Sequence, residues 1–297
     1  MAVSTIDATT TAQAPGVATR GRRVTVWQRF RRNRLALAGL VVLALLVGAA
    51  IFAPLVSPFD PDAVSYSLLA PPSPQHWLGT DDVGRDMLSR LIFASRISLT
   101  LGVCVSLLTV TIGTIVGCLA GYYGGRLDGL LSSFINVMLS IPMLPLAMVL
   151  GAFIGTNLLF LVLILGFTTW TGSARIIRAE FLSLRERDYV AAARVIGAGD
   201  FRIMMRHMLP NAVPLIIVSA TLLVATAILT ESALSYLGYG IQPPTASWGN
   251  MLQNAQRYLR VDPAVAIYPG SLISLTVICI NFVGDGLRDA LDPRQRN

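Results

Sequence analysis

Six apolar runs, at about positions 35–56, 98–122, 129–155, 157–171, 213–230 and 265–284, constrain this chain more than any other feature. Most approach the ~20 residues that a helix needs to cross a hydrocarbon core of ~30 Å. Between Gly129 and Ala174 there is no Asp, Glu, Lys, Arg or His. With hydrophobic residues at 54% and charged residues at 13%, the runs cannot all fit inside one water-soluble core. In lipid a spanning segment must satisfy its own backbone polar groups, which selects helices over isolated strands. The expected fold class is therefore an all-α polytopic membrane protein with about six transmembrane helices.

Charge then orients the spans. Residues 1–34 form a tail: Met1 to about Thr19 lacks hydrophobic periodicity and is expected to be mobile, and Arg20, Arg22, Arg23, Arg29, Arg31, Arg32 and Arg34 crowd the entry to the first run. That run, 35–56, is too long for the ~7–15-residue apolar core of a signal peptide and reads as a retained span. Its arginines place the N-terminus in the cytoplasm. The segment 57–97 is then extracytoplasmic. Its clustered Pro and Gly predict irregular backbone, followed by Val83, Met87, Leu88, Leu91 and Ile92 at helical spacing. With Arg85, Asp86 and Arg90 pointing elsewhere, this stretch predicts an amphipathic interfacial helix leading into the second span. Residues 98–285 form a core of five further spans, the third kinked at Pro142 and Pro145, and 286–297 form a cytoplasmic tail. The connection 172–210 carries Arg175, Arg178, Arg185, Arg187, Arg194, Arg202 and Arg206, and the span count also returns it to the cytoplasm.

Several function classes lack the residues they need. All 23 basic residues are Arg, so the chain has no Gly-Lys-Ser/Thr of a phosphate-binding loop and no Walker-type nucleotide site. The net charge of +7 sits beside spans rather than in an aromatic-laced patch, which argues for topology and against nucleic acid. His76 and His207 fall in different connections, and Cys104, Cys118 and Cys279 lie singly in apolar runs without zinc spacing. No catalytic set and no metal site is readable, so the chain is read as a non-enzyme. Ion-coupled transporters usually keep ionisable residues inside their spans. Here Glu231 reads as an interfacial carboxylate within reach of water, and Asn136 and Asn281 as interhelical hydrogen-bonding groups. Energy for uphill transport is expected from outside the chain.

The connection 172–210 is unusually regular. Tyr189-Val-Ala-Ala-Ala-Arg-Val-Ile196 predicts a helix whose three alanines allow another surface to approach. Gly197 and Gly199 permit a bend, and Asp200 is placed to cap a second helical piece. That piece would carry Phe201, Met204, Met205 and Met208 on one side, Arg202 and Arg206 on another, and end at Pro210. A docking helix pair and an amphipathic hairpin lying on lipid headgroups fit these residues equally.

At these residues the chain resembles the permease subunits of bacterial ABC importers, whose signature is Glu-Ala-Ala, three residues, Gly, nine residues, then Ile-x-Leu-Pro. Ala191, Ala192 and Ala193 stand at its first element, Gly197 at the required interval, and His207-Met-Leu209-Pro210 at its end. Ala191 replaces the acidic residue and His207 the isoleucine. The segments His76 to Asp86, Gly240 to Asn250 and Gly284 to Arg294 are also similar to the C-type subunits of the dipeptide/oligopeptide/nickel branch.

The resemblance implies a type I (MetI-like) importer permease fold in a bacterial inner membrane. It implies a second homologous permease, two cytoplasmic ABC ATPases that bind the ATP and Mg, and an extracytoplasmic substrate-binding protein. It places Tyr189, Ala191, Ala192, Ala193, Arg194, Gly197, Gly199, Arg202, His207, Leu209 and Pro210 in the ATPase-coupling region. The implied solute is a di- or oligopeptide, with nickel or glutathione as alternatives; a self-contained secondary transporter is the rival class.

Overall fold

The computed structural model describes residues 26–65, 67–155 and 157–291. The expected mobile tail with Arg20, Arg22 and Arg23, and the end of the C-terminal tail from position 292, lie outside the described residues.

The regular elements among the described residues are helices, apart from one isolated bridge between Thr80 and Asp86. Helix α1 (Val26–Phe30) leads to α2 (Arg34–Ile51), which begins where the Asn33 side chain accepts the Ala36 amide at 3.1 Å. The run expected to continue to 56 stops at Ile51, and a separate turn, α3 (Ala53–Val56), starts with Pro54 in its first positions. Helix α4 (Met87–Tyr123) is 37 residues, about 55 Å at 1.5 Å per residue. The expected interfacial helix and the second span are thus one rod. Helices α5 (Gly125–Ser140) and α6 (Met143–Ile154) are bent by 80° at a short break and are together apolar and long enough for one broken span or a re-entrant pair. The break falls at Pro142, where a missing N–H and a bulky ring interrupt the ladder, whereas Pro145, also expected to kink the run, sits in the first turn of α6, where its missing N–H has no helical partner to lose.

Helix α7 (Leu158–Arg185) runs well beyond 171, so Arg175, Arg178 and Arg185 sit on a helix and not in a loop. Then come α8 (Asp188–Val195), α9 (Asp200–Tyr236), α10 (Trp248–Ala255) and α11 (Ala264–Leu291). Five of these helices are long and apolar enough to cross a membrane, or six with the bent pair counted as one. The chain is a multi-pass membrane protein.

A glycine seam holds the centre together. Gly113, Gly117 and Gly121 recur every fourth residue on α4, and a Cβ at Gly117 would stand 2.7 Å from the Ala174 carbonyl of α7. At Gly121 it would stand 2.6 Å from Phe181 Cβ. Lipid supplies no hydrophobic drive between helices, so such small-residue contacts carry the association. Arg178 of α7 forks onto Asp128 of α5, with Nη2 donating to Oδ2 at 2.6 Å.

The bundle has two polar ends. At one, the start of α4 packs with Trp248, Met251, Ala255 and Val265; this is called the lid end. At the other, Tyr122, Ile177, Phe181, Val190, Ile203 and Met208 form a second cluster; this is the joint end.

Candidate functional site

At the joint end, α8 is an amphipathic helix with only two residues turned inward. Val190 (0% exposed) and Ala193 (4%) pack into the cluster of Tyr122, Phe181, Ile203 and Met208. Of the three alanines expected on the docking surface, Ala191 and Ala192 are exposed and Ala193 is not. Tyr189 is also exposed, and partial burial pushes its hydroxyl above its ordinary pKa, with Arg187 opposing and Glu180 adding to the shift. Arg194 is exposed but not free, because its guanidinium lies 5.7 Å from the centre of the Tyr122 ring.

The helix ends in a left-handed residue. Gly197 has φ +81°, its N–H donates to Arg194 O at 3.0 Å, and Ala198 N–H donates to Ala193 O at 3.0 Å. This pair of bonds is a Schellman C-cap, which satisfies carbonyls the helix would leave open. Gly199 differs: its φ of −68° suits any residue, and a Cβ there would meet nothing within 4 Å. Only one of the two glycines expected to make the bend does so.

Three further expectations change here. Gly199, not Asp200, occupies the N-cap of α9, and Asp200 instead accepts a hydrogen bond from Tyr122 Oη at 2.7 Å. Met204 and Met208 are buried with Ile203, but Phe201 is 72% exposed and Met205 48%, so the expected one-sided stripe does not form. Pro210 does not close a helix. Residues Ile203–Met208 adopt a π-helical turn, Leu209 N–H reaches back to Met204 O, and α9 runs on through Pro210 to Tyr236. Widening the turn just before a proline gives its ring room where an α-turn would clash. Arg202 is exposed, and His207 and Leu209 are half-buried on this widened turn.

The sequence reading missed the tip of the site. Val195 is 87% exposed and Ile196 83%; with Phe201 they crown a base that is otherwise packed. Apolar residues flanking the one left-handed glycine, in a connection full of arginine, were the available signal. Arg185, near the base, donates through Nη1 to Tyr122 O at 3.3 Å and ties α7 to α4.

The lid end is built from two of the other three motifs, His76 to Asp86 and Gly240 to Asn250. Asp86 caps α4 by accepting from the Ser89 amide at 2.8 Å and its hydroxyl at 2.7 Å, while His76 Nδ1 lies 2.9 Å from the other carboxylate oxygen. Asp81 accepts from Arg85 Nε at 2.7 Å and lies 3.4 Å from Arg90 Nε. Arg90 is 1% exposed, so the polar side of the expected interfacial helix faces protein, contrary to expectation.

The second motif closes from above. Ser247 and Asn250 form a reciprocal capping box at the start of α10, and Trp248 Nε1 donates to Leu91 O at 3.3 Å. Glu231, expected to touch water, is fully buried and accepts from Ser235 at 2.6 Å and Ser247 at 2.9 Å. Asn136 and Asn281 are exposed, and the interhelical hydrogen bonds expected of them are not found among the described residues.

Comparison with known proteins places this architecture. The family described as binding-protein-dependent transport system inner membrane component matches residues 113–297, and the N-terminal TM domain of oligopeptide transport permease C matches residues 23–72. The chain is 39% identical over 269 residues to the oligopeptide transport system permease protein OppC of Bacillus subtilis, covering 90% of this chain and 88% of that one. It is 41% identical over 278 residues to the di/tripeptide transport system permease protein DppC of Pseudomonas aeruginosa, covering 91% and 92%. The fold also matches a chain of the MetNI methionine ABC transporter, with a TM-score of 0.57 at 20% identity over 69% of this chain and 98% of that one. The chain belongs to the binding-protein-dependent transport system inner membrane component family and is a permease subunit of an ABC importer.

Proposed function

We propose that this permease forms half of a peptide pathway with a second, homologous permease, and that partner ATPases drive it by gripping the tip of α8. The observation that carries the docking half is the pairing of an exposed apolar tip, Val195, Ile196 and Phe201, with a base that is rigidly packed. Apolar anchors standing on a rigid support are the usual energetic centre of an interface. Around them Tyr189, Ala191, Ala192, Arg194 and Arg202 supply close approach and positive charge. Gly197 forms the bend, Gly199 stands at the N-cap of α9, and His207, Leu209 and Pro210 lie on the stretch of α9 that supports the tip. On this reading both termini and α8 are cytoplasmic, consistent with the arginines near α1 and α2.

The peptide half is supported by the names of relatives at about 40% identity over about 90% of the chain. ATP and Mg belong to the partner ATPases, and an extracytoplasmic binding protein delivers the solute. Closure of the ATPases then biases the membrane conformation because they contact its two states differently.

The test is uptake into proteoliposomes holding this chain, its partner permease, the ATPases and the binding protein. ATP-dependent tripeptide uptake is expected, and lost with Ala192→Arg. Uptake by this chain alone on a proton or sodium gradient would overturn the reading. Uptake of nickel, or of the γ-linked tripeptide glutathione, in place of an ordinary α-linked tripeptide would keep the coupling and replace the solute.

A further inference from the structure

The break between α5 and α6 stands in the wrong surroundings for lipid. Ser140, Ile141 and Pro142 are all exposed, and no side chain caps the start of α6. Only two bonds tidy the end of α5, from the Ile141 amide to Met138 O at 3.4 Å and from Ser140 Oγ to Val137 O at 2.7 Å. The break also lies at membrane depth. Met143, directly after it, lines a narrow cleft with Thr109, Leu165, Thr169, Thr226 and Thr230. Thr169 is about 16 Å along α7 from Leu158, well inside a span of about 42 Å.

Below the break the same helix carries a polar stripe. Ser133, Asn136 and Ser140 are spaced to share one face of α5, and all three are exposed. The opposite face is the packed one, where Ile135 meets Trp170 and Ala174. The Asn136 amide has no partner among the described residues. Open backbone and an unpaired amide at membrane depth are tolerated only against protein or water, never against lipid tails.

We propose that the stripe Ser133, Asn136 and Ser140, together with the break above it, lines the aqueous route followed by the solute. The lining offers hydroxyls, one amide and open peptide groups, and no ionisable side chain stands between Gly129 and Ala174. Such a surface exchanges hydrogen bonds with the main chain of a passing peptide and is indifferent to the charge of its side chains. The inference rests on the permease reading above and deepens it.

The test uses the assembled importer in proteoliposomes, in a background carrying Cys104→Ala, Cys118→Ala and Cys279→Ala. A membrane-impermeant, positively charged thiosulfonate should label Asn136→Cys and Ser140→Cys at least about tenfold faster than Leu45→Cys on α2. A transported tripeptide in excess should slow that labelling. Rates equal to that of Leu45→Cys would overturn the proposal, as would cross-linking of Asn136→Cys to the partner permease without aqueous labelling. Tripeptide uptake with unlabelled cysteines would sink the lining and leave the peptide reading standing. Labelled cysteines without tripeptide uptake would do the reverse.

Discussion

At the lid end Asp81, Asp86, Arg90, Glu231 and Asn250 are all at least nine-tenths buried, whereas at the joint end Val195, Ile196 and Phe201 are 87%, 83% and 72% exposed. Each end inverts the simple rule that polar residues face out and apolar residues face in. The lid can bury most of its charges because they find partners: Asp86 with His76 and Ser89, and Asp81 with Arg85 and Arg90, while Glu231 accepts from Ser235 and Ser247 through one carboxylate oxygen and leaves the other without a partner among the described residues. The joint leaves apolar residues in the open on a base that is itself fully packed. Polar groups paired largely within the chain serve its own packing, and an unpaired apolar tip on a packed base serves a partner.

This contrast can be broken by substitutions that separate stability from coupling. Trp248→Ala removes the largest fully buried side chain from the lid and is expected to cost about 3–5 kcal/mol, read as lower thermal stability of the purified chain. A change below about 1 kcal/mol would show that the lid is not a core. Asp81→Ala leaves Arg90 buried with the more distant Asp62 carboxylate at 3.6 Å and the uncharged Pro61 carbonyl at 3.3 Å, and should cost about 3 kcal/mol by the same assay.

At the joint the costs fall. Gly197→Ala forces a side chain into the left-handed region and should cost about 1–2 kcal/mol, while Gly199→Ala should be neutral within about 0.5 kcal/mol. Equal effects would mean that the Schellman cap does not define the bend. Smallest of all on stability is Val195→Asp, at a residue 87% exposed; melting should be unchanged within about 0.5 kcal/mol. Its uptake should nevertheless fall by at least about tenfold, the loss of one interface anchor. Unchanged uptake would remove the tip from the docking surface.

Much of the helical layout was legible because lipid imposes a strict code. Apolar length, Arg placement and Pro142 each have one physical consequence in a bilayer, so spans and the broken third run could be read directly. The Gly113, Gly117 and Gly121 seam was equally visible as a four-residue repeat and went unread. The candidate site was half legible. Helix α8 and the Gly197 bend follow from local chemistry. Which of Ala191, Ala192 and Ala193 faces out depends on how α8 rolls against Phe181 and Ile203, and no local signal carries that roll. Arg90 and Glu231 were misread for a related reason, since each looks solvent-bound until its partners are brought in from residues far away in the chain.

The sequence by itself determined a multi-pass helical protein, with a helix, a glycine turn and a second helix in its arginine-rich connection, because hydropathy and backbone preference act over a few neighbouring residues. Only the tertiary structure decided which polar groups find partners, which alanine turns inward and where the apolar tip points. Those outcomes depend on α4, α7, α9 and α10 meeting across long sequence separations, and it is that meeting, not residue type, which sets whether a buried charge is satisfied or an apolar side chain is left for another protein.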